Sequence, residues 1–450
     1  MKEFNFEKLP IVEIANEIIM DAVNKGASDI HFDPSQDSLK IRFRIDGILS
    51  DYSIIPSKYK RNMISRIKMI AGMNIMETRL PQDGAIKSKI GERFLDLRVS
   101  SLPTNNAEKI VIRILDYSMS LAGLDNLGFS EDAMEKINRL IKIPNGIILV
   151  TGATGTGKST TLYSILQKLN TEAVNIITVE DPVEMDIEGI NQVQTQSEIG
   201  LTFATILRSI LRQDPNIIMI GEIRDDETAR IAVRASITGH LVLSSLHTNN
   251  SLNTIERLTD MDVERYLLGS SLEGIISQRL ARKVCPECSI KRPTTDYERQ
   301  VFKTVLGKDV SEMVVANKEG CPKCTHGYKG RLAILEVLVM NEKIKDAITN
   351  GANKNTLREL VYTGDVVTLL QDGLNKVVLG ETTFEEILKI VDLENDMTQY
   401  NDDNLKTNLI MAQQAHKADN KTNDKPITSN ISSEFKIEKT NNENIETVEF

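Results

Sequence analysis

The chain has 450 residues, a formal net charge of -10 and a pI near 5.3. It is long enough for two or three domains, since one core seldom grows past roughly 250 to 300 residues, and its acidic balance argues against a general affinity for nucleic-acid phosphates, which needs clustered Lys and Arg. No apolar run approaches the roughly 20 residues that span a bilayer, and the start MKEFNFEKLP lacks a charged stretch followed by an apolar one, so no transmembrane segment and a cytoplasmic location are expected.

Apolar residues at helical spacing (Ile11, Ile14, Ala15, Ile18, Ile19, Ala22) predict an amphipathic helix over 11–25. SDIHF and LKIRFRIDGIL read as strands about an Asp46-Gly47 turn, a pair that tolerates the positive φ of a tight hairpin. A second helix is predicted over 58–71, then two strands, RFLDLRVSSLP and EKIVIRIL, giving an α+β domain that ends near Leu115. In LDLRVS, Asp96, Arg98 and Ser100 share one face while Leu95, Leu97 and Val99 share the other; Arg113 shares a face with Val111 and Leu115. An arginine on such a strand needs a partner. A local carboxylate is the plainer choice and a group outside the domain the more interesting one.

A linker from about Asp116 leads to a helix, and Pro144-Asn145-Gly146 punctuates the start of a new domain. There GIILVTG, NIITVED, NIIMIGE and HLVLSSLH read as short buried strands alternating with helical stretches, which indicates a parallel sheet covered on both faces. GATGTGKS follows the first of them and matches GxxxxGK[ST] ahead of the helix STTLYSILQKL. Gly152, Ala153, Thr154, Gly155, Thr156, Gly157, Lys158, Ser159 and Thr160 are therefore the candidate cradle for ATP. Glycines turn backbone N–H groups toward phosphate oxygens, and the helix adds the positive end of its dipole. Lys158 is expected to reach the β- and γ-phosphates and Ser159 to hold Mg2+.

The strand NIIMI ends in Gly221, where nucleotide hydrolases commonly place a magnesium-holding aspartate. The acid comes one residue later, so Glu222 is the candidate to orient or deprotonate the attacking water, against the plainer reading of a surface carboxylate. ITVEDPVE supplies Glu180, Asp181 and Glu184, any of which can provide the missing magnesium contact directly or through water. His240 and His247 bracket LVLSSL, so one or both are candidates to face the γ-phosphate, although a lone histidine is more often a packed or capping group.

All four cysteines fall in two CxxC pairs, Cys285/Cys288 and Cys321/Cys324, a grouping that suggests metal more than disulfides. Two thiolates per turn predict a closed site of four cysteines for Zn2+, with His326 a bystander. Mostly helical sequence is read from there to about Asp392. Residues 396–450 carry few large apolar groups and cannot offset their ordering entropy, so a disordered tail is expected.

Taken in order, SDIHF, RIDG, RLPQDG, DLRVSSLPT, GATGTGKSTTLY, ITVEDPVE, IGLTFATILRSILRQDPNIIMIGEIRDDETARIA, TGHLVLSSLHTN, the two CPxC knuckles and LLQDGLNKVVLGETTFEEIL resemble the secretion ATPases of the GspE/PilB family over roughly residues 9 to 393. The resemblance implies an α/β fold: a RecA-like P-loop core with a parallel-type sheet (143–280), preceded by an α+β, PAS-like N-terminal domain (1–115) and a linker (116–142). A four-cysteine zinc module (281–330), a helical C-terminal region (331–395) and the tail (396–450) would follow. It implies Glu222 in the catalytic position, an acidic box at Glu180 to Glu184 and a histidine box from His240 to His247. It further implies a homo-hexameric ring in which the N-terminal domain of one subunit closes over nucleotide in its neighbour, with Arg98 and Arg113 as fingers on the phosphates. The implied activity is ATP hydrolysis that powers assembly of a type IV pilus, a competence pseudopilus or a type II secretion pseudopilus through an inner-membrane platform protein. A pilus retraction ATPase is a near alternative that fits less well because such enzymes lack the knuckles. A nucleic-acid motor is disfavoured by the acidic charge and the lack of a basic, aromatic-rich stretch.

Overall fold

A computed structural model describes residues 1–90, 93–116 and 123–391. The tail expected to be disordered lies outside the described residues, as does part of the linker.

The N-terminal unit is built from helix α1 (Ile11–Asn24), strands β1 (Ala27–Pro34), β2 (Ser38–Ile45) and β3 (Ile48–Pro56), helix α2 (Ser57–Ile70), and strands β4 (Gln82–Ile90), β5 (Arg93–Pro103) and β6 (Glu108–Asp116). The strands form one antiparallel sheet in the order β3-β2-β1-β6-β5-β4. The face of α1 predicted to be apolar is the one it buries, through Ile14, Ala15, Ile18, Ile19, Ala22 and Val23, and α2 adds Met63, Ile64 and Ile67 to the same core. The β2–β3 turn has positive φ at both Asp46 (49°) and Gly47 (85°), as a two-residue hairpin requires. Lys68 is fully buried and reaches Glu108 and the carbonyl of Glu77, each at 2.6 Å. A buried ammonium persists only when paired in this way.

Helix α3 (Glu131–Leu140) leads into the larger unit. Its central elements are β7 (Gly146–Thr151), α4 (Lys158–Leu169), β8 (Ile176–Glu180), β9 (Asn191–Gln194), α5 (Phe203–Ile210), β10 (Ile217–Ile220), α6 (Asp226–Ile237), β11 (Leu241–Leu246), α7 (Ser251–Asp260), α8 (Arg265–Ser271) and β12 (Leu272–Val284). After them come β13 (Ile290–Pro293), α9 (Asp296–Leu306), β14 (Glu312–Val315), β15 (Tyr328–Val339), α10 (Glu342–Thr349), α11 (Lys354–Tyr362), α12 (Leu369–Val378) and α13 (Phe384–Ile390).

Seven strands form a sheet in the order β15-β12-β7-β11-β10-β8-β9, parallel throughout except that β15 runs against β12. Alternate residues of one strand enter different cores: Ile147 and Leu149 of β7 pack on one side, Ile148 and Val150 on the other. That two-sided burial is why these strands read as unbroken apolar runs.

Strands β4, β9 and β12 have no counterpart in the sequence expectations, and β15 continues the sheet past Gly330, where mostly helical sequence is expected. Residues 281 and 330, read as limits of the cysteine module, lie inside β12 and β15, so the knuckles stand at the ends of two paired sheet strands. Where β12 leaves the sheet, Arg282 donates to both oxygens of Glu386 on α13 (2.7 and 2.6 Å) and stacks 3.9 Å from the Tyr328 ring centre.

Candidate active site

Strands β7, β8, β10 and β11 run parallel, so their carboxyl ends, each followed by a loop, share one edge of the sheet. The P-loop leaves β7 at this edge. A Cβ on Gly152 (φ 151°) would lie 2.6 Å from both Gln278 O and Thr156 Oγ1, and one on Gly157 (φ 87°) would lie 2.8 Å from Gln278 Nε2, so both positions require glycine. Gln278, only 3% exposed, braces the loop from β12: its amide donates to Thr156 O at 2.7 Å and accepts from Thr161 Oγ1 at 2.7 Å. Lys158 opens α4 and lies folded against its own loop, donating to the carbonyls of Gly152 (2.9 Å) and Ala153 (3.2 Å). Burial pushes its ammonium pKa down, opposed by the nearby charges of Glu222 and Glu184 and aided by that of Arg279.

The acids after β8 divide into two layers. Glu180 is buried and turned inward, accepting from Thr178 Oγ1, from Gln192 Nε2 at 3.0 Å and from the Tyr163 hydroxyl. Tyr163 in turn accepts from the backbone N–H of Glu184 at 3.1 Å, so Glu180 acts behind the site, steadying the turn that carries Glu184. The Glu184 carboxyl faces the P-loop, 3.4 Å from Ser159 Oγ. Burial raises its pKa and the charge of Arg98 works against that rise. A Cβ on Gly221 would meet Val179 O at 3.4 Å and Glu180 Cα at 3.5 Å, which is ordinary contact. The glycine therefore answers no steric need here; it leaves Glu184 as the acid beside Ser159.

Glu222 accepts from Arg224, through Nε at 2.8 Å and a second contact from Nη2, and its other oxygen lies 3.0 Å from His247 Nε2. Arg224 also reaches Asp181 Oδ2 at 3.1 Å. Burial alone would raise the Glu222 pKa, but the Arg224 hydrogen bond and charge, with His247, hold it below the usual carboxylate range.

His240 is not part of this group. It stands before the amino end of β11, at the opposite edge of the sheet, where its ring Nδ1 lies 2.8 Å from Ala235 O at the end of α6. In the N-terminal sheet, Arg98 and Arg113 face each other across β5 and β6. Arg113 donates to Asp29 Oδ1 at 3.2 Å while remaining 66% exposed, and Arg98 lies 3.8 Å from Asp96. The charge of Arg98 also acts on the Glu184 carboxyl of the same chain.

The four cysteine sulfurs lie within 4.8 Å of one another, with Cys285–Cys321 at 3.8 Å and both Cys288–Cys324 and Cys321–Cys324 at 3.6 Å. Zn–S bonds of about 2.3 Å in a tetrahedron place sulfurs about 3.8 Å apart, so the donor set fits Zn2+. The Cys321 N–H donates to Cys324 Sγ at 3.2 Å, a contact that favours the thiolate a metal ligand needs.

A family model described as Type II/IV secretion system protein matches residues 5–389. The chain belongs to that family. The secretion ATPase shares 46% identity over 383 residues with Type II secretion system protein E of Xanthomonas campestris, covering 85% of this chain and 68% of that protein. It shares 45% over 381 residues with Type IV pilus assembly ATPase PilB of Myxococcus xanthus, covering 84% and 67%. The X-ray structure of the Legionella pneumophila ATPase DotB has the same fold at 21% identity, with a TM-score of 0.62 and coverage of 86% and 97%. ATP hydrolysis is the chemistry of this family, and ATP with Mg2+ is the group its P-loop serves.

Sequence reasoning had picked out Lys158, Ser159, Glu184, Glu222 and His247 but not Tyr163, Arg224, Gln278 or Arg279. Arg224 stood in plain view, two residues beyond Glu222. Tyr163 lies four residues beyond Ser159 on the P-loop helix, one turn away, whereas Gln278 and Arg279 come from a segment with no spacing relation to the P-loop.

Proposed function

We propose that this secretion ATPase works as a homo-hexameric ring at the cytoplasmic face of the inner membrane, driving assembly of a type IV pilus or a type II secretion pseudopilus through a platform protein there. The names of its relatives support the choice of machine. Backbone N–H groups of the P-loop and Lys158, released from the Gly152 and Ala153 carbonyls, bind the phosphates. Ser159 and Glu184 would hold Mg2+, which supplies charge neutralisation on the β- and γ-phosphates. Glu222 accepts the proton of the attacking water, and His247 fixes the carboxylate from its other oxygen. Before turnover, Arg224 has to yield an oxygen of Glu222 to the water.

Arg98 and Arg113 serve as fingers on the phosphates. The action of the Arg98 charge on Glu184 supports a place for this arginine near a bound nucleotide. Cys285, Cys288, Cys321 and Cys324 would hold a structural Zn2+.

The observation that carries the reading is the convergence of Lys158, Ser159, Glu184, Glu222 and His247 at the carboxyl ends of four parallel strands. ATP hydrolysis measured beside mass by light scattering tests it. Wild-type chain should hydrolyse ATP faster as it shifts toward a hexamer, and Glu222→Gln should lose turnover by about 100-fold or more while still binding ATP. Wild-type rates in Glu222→Gln would remove Glu222 from the chemistry. Equal activity in a stable monomer would remove the ring.

A further inference from the structure

The segment His247 to Asn250, HTNN, joins β11 to α7, and each of its four residues has its own partner. His247 meets Glu222, Thr248 Oγ1 lies 2.7 Å from Thr254 Oγ1, and the Asn250 side chain caps α7 by accepting from Asn253 N at 2.9 Å. Asn249 reaches in another direction. Its carbonyl oxygen and its Oδ1 each accept from Arg279 Nη2 at 3.0 Å, while Arg279 Nη1 donates to Gln278 O at 3.1 Å. One guanidinium thus joins the histidine loop to β12, beside the amide that braces the P-loop. Its Nη1 also comes within 3.3 Å of the place a Cβ on Gly152 would occupy, and its charge acts on Lys158.

We propose that Arg279 is a positioning residue for hydrolysis: by clamping Asn249 to β12 it holds His247 against Glu222 while phosphates occupy the adjacent loop. This rests on the reading of Glu222 as the group that activates water. The two residues from His247 to Asn249 span at most about 7 Å of chain, too little slack for Asn249 to shift without moving the imidazole. Thr248 and Asn250 bind the loop only to α7. Asn249 binds it to β12 under the P-loop, and Ser251 at the start of α7 adds a 3.4 Å hydroxyl contact to Ser277 of that strand. Arginine suits the task because its planar fork meets Asn249 and Gln278 at once; lysine would supply the charge without the fork.

Steady-state ATPase of the full chain tests this with Arg279→Lys, Asn249→Ala, the double variant and Glu222→Gln. Arg279→Lys should lower kcat about tenfold, as small misplacements near reacting groups do, with KM for ATP within about twofold of wild type. Asn249→Ala removes an exposed side chain, leaves the carbonyl contact in place and should shift kcat the same way by less. The double variant should fall no lower than Arg279→Lys alone, because both act through one contact. Wild-type kcat in Arg279→Lys, a loss confined to KM, or losses that multiply in the double variant would each overturn the clamp. Wild-type turnover in Glu222→Gln would instead overturn the reading beneath it. A dead Glu222→Gln beside an unaffected Arg279→Lys would sink the clamp alone.

Discussion

The P-loop and the cysteine knuckles hang from the same sheet, on strands β7, β12 and β15, yet they are built in opposite ways. The knuckles bring four identical donors to the spacing a tetrahedral ion needs, using two short turns and no borrowed side chain. The nucleotide site gathers unlike groups from β8, β10, β11 and β12 around the loop, and several of them are occupied with one another: Lys158 with loop carbonyls, Glu222 with Arg224 and His247. Four like donors at one fixed spacing suit an ion that stays, whereas a catalytic site must keep exchangeable contacts that a substrate can replace.

The sharpest way to break this contrast is to remove the one cation of the P-loop itself. Lys158→Ala should abolish ATP turnover, by about 100-fold or more, yet leave the melting temperature within about 1 °C, because the lysine bonds only its own loop. Undiminished turnover would end the P-loop assignment, and a large drop in melting temperature would mean the site is structural after all. The converse holds at the knuckles. Metal analysis should find about one zinc per chain, and Cys321→Ser or strong chelation should lower the melting temperature by roughly 10 °C, since binding free energy at such a site is folding free energy. A zinc-free preparation of full stability would dissolve the contrast. The smallest effect concerns exchangeability. Glu222 is held below the usual carboxylate range largely by Arg224. With Arg224→Ala the carboxyl pKa rises, more of it is protonated at a given acidic pH, and the acid limb of the kcat profile should move to higher pH. An unmoved limb would mean that Arg224 does not tune the base.

The same contrast explains what could be read from sequence. The knuckles and the P-loop were legible because their chemistry needs residues close together in the chain, and the Asp46-Gly47 hairpin because its backbone admits few residue types. The two histidines bracket one strand, so spacing could not choose between them; strand direction could have, since ligands gather at the carboxyl ends and only His247 lies there. Strand β12 was missed because LEGIISQRLARKV is rich in good helix formers and becomes a strand through its place between β7 and β15. With it went Gln278 and Arg279, which no motif around the P-loop could announce. Glu180 and Glu184 share one acidic box in the sequence, and only packing separates them, turning Glu180 inward to Tyr163.

Strand β12 also has a mechanical meaning. Its thirteen residues make a rod roughly 40 Å long, with the brace of the phosphate loop along it and Cys285 directly beyond its end. The partner β15 pairs with the rod along most of its length. The one break in their pairing falls between Arg282 and Val284, where Arg282 is bolted to α13 through Glu386. A torque delivered at the knuckles therefore reaches the floor of the nucleotide pocket through a loaded beam with a single, pinned elbow.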